Sequence, residues 1–63
     1  MDVTLGQILL FFENSNCDVH VKWNAKDKCY HGIPKALLYE IPEKALKKKL
    51  SWLENFDHMC IYI

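Results

Sequence analysis

Apolar and polar positions alternate with helical spacing near the N-terminus and with strand spacing in later stretches of the chain. In "TLGQILLFFENSN", at about 100° per residue, Leu5, Ile8, Leu9 and Phe12 fall on one side of a helix, and Gly6, Gln7, Glu13 and Asn14 fall away from it. Thr4 and Gln7 have the spacing of a capping box, and Val3 with Ile8 that of a hydrophobic staple. A helix from Leu5 to Glu13 is therefore expected. Leu10 lies well off its apolar side and Phe11 at the margin, so this segment carries more large apolar surface than one buried face absorbs.

After the turn residues Asn14 to Asn16, "CDVHVKW" sets Cys17, Val19, Val21 and Trp23 on one face of a strand and Asp18, His20 and Lys22 on the other. "NAKD" is a polar loop of hairpin length, and "KCYHGI" returns as a second strand whose Gly32 marks a bulge or an end. Pro42 at a first helical position, Glu43 in the first turn and Lys47 to Lys49 in the last suit a short helix from Pro42 to Lys49. Pro34 to Leu38 is compatible with a single further turn. "SWLENFDHMCIYI" reads as a second hairpin, with Met59, Ile61 and Ile63 alternating with Cys60 and Tyr62. The expected fold is a single α+β domain over residues 1–63. An N-terminal helix packs on a four-stranded, mostly antiparallel sheet with a short second helix, in the order α-β-β-α-β-β. Cys60 and Tyr62 then point to the sheet face that the first helix does not cover.

Charge and cysteine content narrow the function classes. Eight basic residues balance eight acidic ones, which disfavours direct nucleic-acid binding and an acidic DNA mimic alike. All eight cations are Lys, so the planar guanidinium fork that grips phosphate or guanine is missing. The start "MDVTLGQILLFF" has neither a basic leader region nor a small-residue cleavage site, and no apolar run is long enough to span a bilayer. No membrane association and a cytoplasmic location are expected. Cys17, Cys29 and Cys60 are odd in number and form no C-x-x-C pair, which suits reduced thiols filling the core.

Candidate chemistry is sparse. His20, His31 and His58 accompany the three cysteines, and pairing of the first two strands brings His20 toward His31 or Cys29. No second closely spaced ligand pair stands beside Cys29 and His31, so neither a metal nor another cofactor is expected. Cys29, His31 and Asp18 assemble a nucleophilic trio on paper, but an oxyanion hole and a concave pocket are hard to build in so thin a core. No catalytic residue is assigned, and the chain reads as a non-enzyme. His20, Lys22, Trp23, Lys28 and Tyr30 offer cations beside aromatics, the ingredients for stacking a base and neutralising a phosphate. Lys47 to Lys49 read as a solvated helix end, with Glu43 at i,i+4 to Lys47. The most informative excess is Leu10, Phe11, Tyr39, Trp52, Phe56 and Tyr62, which suit partner binding or self-association. The competing explanation is that "PKALLYE" folds over the second sheet face and buries them.

Four pieces, Thr4-Leu5-Gly6-Gln7-Ile8, the hairpin around Lys26-Asp27-Lys28, Ile41-Pro42-Glu43 and Ile61-Tyr62-Ile63, give the chain a recognisable outline. It resembles the short accessory proteins of phages and integrative elements of low-GC Gram-positive bacteria. These open with a T-[LIV]-G-[EQ]-[LI]-like helix, pass through a charged hairpin and an "I-P-E" turn, and end in an apolar "I-Y-[IV]" strand. This chain departs from that outline by the longer "PKALLYE" segment. The resemblance implies a viral or mobile-element protein that inhibits a host defence protein by stoichiometric contact, in the manner of an anti-CRISPR protein. A homo-oligomeric sponge that sequesters a nucleotide immune signal is the second expectation, and a structural or regulatory subunit the third.

Overall fold

The computed structural model describes residues 2–63. Helix α1 spans Leu5–Phe11 and starts as its sequence dictates. The Thr4 hydroxyl accepts the Gln7 N–H at 3.2 Å, and the Gln7 side-chain carbonyl accepts the Thr4 N–H at 2.9 Å, satisfying two otherwise orphaned donors. Leu5 and Leu9 are buried and Ile8 and Phe12 pack half-buried against the core, which is the apolar side the periodicity marks. The helix stops at Phe11, two residues before the expected Glu13. There the Glu13 N–H turns back to the Leu10 carbonyl at 3.3 Å and the Ser15 N–H to the Phe12 carbonyl at 2.9 Å.

Strand β1, Val19–Trp23, and strand β2, Lys28–Gly32, form the expected antiparallel hairpin. A 3-10 turn at Asn24–Lys26 followed by Asp27 in the left-handed region (φ 50°) closes the polar "NAKD" loop. Asp tolerates that conformation better than most residues. Gly32 ends β2 at φ 157°, where an L side chain rarely sits, so the glycine marks a strand end rather than a bulge.

The middle of the chain is more helical than expected. Pro34 opens a full helix α2, Pro34–Glu40, and a separate short helix α3 covers Glu43–Leu46, giving three helices where two were expected. The expected Pro42 to Lys49 helix is cut short because its C-terminal backbone is used elsewhere. The Lys48 carbonyl accepts the Leu5 N–H at 2.9 Å, Leu50 N–H donates to the Val3 carbonyl at 3.0 Å, and Thr4 bridges Lys49. Those bonds dock the last turn onto the start of α1. Gly6 lets α3 approach: a Cβ there would lie 3.2 Å from the Leu46 carbonyl oxygen.

Strand β3, Trp52–Asn55, and strand β4, Met59–Tyr62, form the second hairpin. The sheet order is β2-β1-β4-β3, with β1 and β4 parallel in the centre, so the sheet is mixed. The two outer pairings are antiparallel as expected and the central one is not. The strands with the strictest alternation of buried positions, β1 and β4, take the middle, where one face of each can be covered fully.

Leu5, Leu9, Val19, Val21, Leu37, Ile41, Ala45, Leu50 and Ile61 form the heart of the core between the helices and one sheet face. Segment "PKALLYE" belongs to this layer: α2 packs on α1 and β2, with Leu37 fully buried. It therefore does not cover the second sheet face, and among the described residues no element does. Trp23 is a core residue whose indole N–H has no hydrogen-bond partner.

Candidate functional site

The uncovered face of the sheet is built by the strand positions that alternate with the core. Strand register lines His31, His20, Cys60 and Glu54 into one row that crosses all four strands. The next row holds Cys29, Lys22, Tyr62 and Trp52. Asp18 and His58 precede β1 and β4 at the same end of these parallel strands, where the Met59 N–H donates to the Asp18 carbonyl at 3.1 Å.

At that end the polar groups converge. The carboxylate of Asp18 lies 2.6 Å from His31 Nε2 through one oxygen and 3.3 Å from His20 Nε2 through the other. The His20 ring neighbours two others, with centroids 4.2 Å from His31 and 4.3 Å from His58. Partial desolvation of Asp18 favours its neutral form. The hydrogen bond from His20 and the charge and hydrogen bond of His31 outweigh it and hold the carboxyl below its ordinary 3.8. Ligand atoms of Asp18, His20 and His31 all lie within 4.8 Å of one another, a set of residue types that can hold a metal ion.

Along the same face the groups diverge. Lys22 Nζ sits 6.0 Å from the centre of the Tyr62 ring, within reach of a weak cation–π attraction. Trp52 donates its indole N–H to Glu54 at 3.1 Å, which fixes the ring on the outer strand. Cys60 is half-buried and Cys29 exposed, and both are free thiols. The exposure of Cys29 corrects the expectation that each cysteine fills the core: its position pairs with Lys22 on the uncovered face. Asp18 does join His31, but Cys29 is not part of the convergent group, so the paper trio of Cys29, His31 and Asp18 does not form.

The five residues suggested for base and phosphate binding are divided between the two faces. His20 and Lys22 lie on the uncovered face, whereas Trp23 is buried in the core and Tyr30, paired with Val21, packs against it. Lys22, Trp23 and Lys28 meet at the hairpin end in a cleft of about 170 Å³ with Asn24, Asp27 and Cys29. His20 and Tyr30 are outside it. The cleft is below the roughly 300 Å³ at which small-molecule sites usually begin.

The apolar excess has a clearer placement. Leu10, Phe11, Tyr39, Trp52 and Phe56 are between 55% and 88% exposed, and Tyr62 is half-buried on the open face. They occupy separate elements: Leu10 and Phe11 on α1, Tyr39 on α2, Trp52 on β3 and Phe56 just beyond it. Phe11 packs edge-on against Phe12, with centroids 4.9 Å apart, so its exposed ring has a fixed support.

Sequence reasoning placed His20 near His31 but did not bring Asp18 and His58 to them. Asp18 was legible two positions before His20 on the same strand face. The approach of His58 depends on the parallel pairing of β1 with β4, which no local pattern encodes. Comparison with known protein families, curated proteins and solved structures returns no match.

Proposed function

We propose that this chain is a small non-enzymatic binding protein that acts by stoichiometric contact with another protein. The observation that carries the reading is the exposure of Leu10, Phe11, Tyr39, Trp52 and Phe56 on a domain that is otherwise well closed. Its accessible surface of 4402 Å² is close to the roughly 4,200 Å² typical of a folded monomer of its mass. The large side chains outside are thus not the product of loose packing. Aromatic side chains held rigidly at a surface are the groups that anchor protein interfaces.

The resemblance of Thr4 to Ile8, Ile41 to Glu43 and Ile61 to Ile63 to phage and mobile-element accessory proteins gives the partner a class: a host defence protein, inhibited in anti-CRISPR fashion by occlusion of a working surface. The cleft of Lys22, Trp23 and Lys28 favours the second reading, a nucleotide sponge, only if another copy enlarges it.

Phage challenge of CRISPR-bearing Gram-positive cells tests this. Expression of the protein should restore plaque formation, and a folded Leu10→Ser/Phe11→Ser variant should not. Plaque formation that stays suppressed, or a variant that inhibits as well as the parent, removes the reading. Release of a nucleotide from purified oligomer moves the assignment to the sponge.

A further inference from the structure

The structure assigns a divalent transition-metal site to the uncovered sheet face, with Asp18, His20 and His31 as its ligands. This is independent of the proposed contact function. All three histidines of the chain lie in this one patch, although β1, β2 and the turn before β4 deliver them from distant parts of the sequence. Two imidazoles directed through Nε2 at one carboxylate define a point that a cation can occupy in place of the shared protons.

The geometry needs little adjustment. Tetrahedral zinc, at about 2.0–2.2 Å from nitrogen and oxygen ligands, sets those ligands roughly 3.3 Å apart. The ligand atoms of Asp18, His20 and His31 are already within 4.8 Å of one another, so side-chain rotation of about an ångström closes the set. His31 and Asp18 are more than half exposed, and their rotation disturbs no core contact. His20 and His31 are opposed across an antiparallel pair, which fixes their Cβ separation through the backbone. The His58 ring, its centroid 4.3 Å from that of His20, borders the site without joining the ligand set.

The donor set selects the ion. Imidazole nitrogen with one carboxylate oxygen suits Zn²⁺, Co²⁺, Ni²⁺ or Cu²⁺, and suits Mg²⁺ or Ca²⁺ poorly because those want all-oxygen shells. Cys60 pairs with His20 in register, but its sulfur is not in the convergent group, so a thiolate is not assigned. The sequence pattern alone argued against metal because no second closely spaced ligand pair accompanied Cys29 and His31. Strand register supplies one by setting His31 opposite His20.

Calorimetric titration of the full, reduced chain with Zn²⁺ should show one ion per chain. The histidine ring resonances of the unmodified protein should shift during the same titration. His20→Ala and His31→Ala should each weaken the affinity by at least about tenfold, with unchanged far-ultraviolet circular dichroism, and Cys29→Ser and Cys60→Ser should retain it. Co²⁺ in place of Zn²⁺ should give visible bands without the intense near-ultraviolet absorption of a sulfur ligand. Failure of Zn²⁺ to bind saturably, or histidine resonances that do not move, overturns the assignment. So does binding that survives His20→Ala/His31→Ala but is lost in the cysteine variants.

Discussion

His20 and His31 oppose each other across β1 and β2, ring centroids 4.2 Å apart, and both direct Nε2 at the carboxylate of Asp18. Two imidazoles sharing one exposed acceptor add little to stability, because solvent screens the ionic part of the interaction. Asp18→Asn should accordingly change the urea midpoint only slightly. The same substitution should cut zinc affinity sharply, and the contrast between the two readouts separates a ligand from a structural group.

Zinc itself should stabilise the native chain. An ion that binds only the folded state at about one hundred times its dissociation constant contributes about 2.7 kcal/mol by mass action. A rise in melting temperature that is reversed by a chelator, and absent in His20→Ala/His31→Ala, is the expected result.

Leu37 is fully buried where α2 meets the sheet. A Leu→Ala change at such a site costs about 2–5 kcal/mol, against a total of about 3–9 kcal/mol for a domain of this length. Leu37→Ala should therefore leave much of the chain unfolded at ambient temperature, seen as a lost or much earlier denaturation transition.

Leu10 and Phe11 should behave in the opposite way. They are largely exposed, so Leu10→Ser/Phe11→Ser should shift stability by no more than about 0.5 kcal/mol per site while abolishing partner contact. A collapse of the fold in denaturant titration would place them in the core instead.

Thr4→Ala removes the hydroxyl that accepts the Gln7 N–H and should cost about 1 kcal/mol. Thr4→Ser keeps the acceptor and should recover most of that loss in the same urea titration.

Much of this architecture was legible in the sequence because local chemistry decides it. The Thr4–Gln7 capping box, the alternation of Val19, Val21 and Trp23, and the polar "NAKD" loop each specify their element within a few residues. What escaped was decided by partners far away. Lys47 to Lys49 have the charge of a helix end, yet Lys48 and Leu50 give their backbone bonds to the start of α1. Pro34 signals a helix start and also a turn, and burial of Leu37 against the sheet selects the helix. The surface aromatics were legible as an excess, since no single helix-on-sheet core accommodates them. The histidine cluster was half legible: the hairpin implied His20 beside His31 and Asp18 shared the strand face of His20, while His58 required knowledge of which strands are neighbours.

The parallel pairing of β1 with β4 sets Val19 beside Met59. Each hairpin closes a short loop, but this central ladder closes one that spans most of the chain. Its entropic cost must be overcome before those hydrogen bonds form, which slows folding relative to a helical domain of equal size. Neither half of the protein can complete its sheet without the other. A cut between the two hairpins should therefore yield fragments that are unstructured apart and recover the fold only on mixing, so that each half reports the presence of the other.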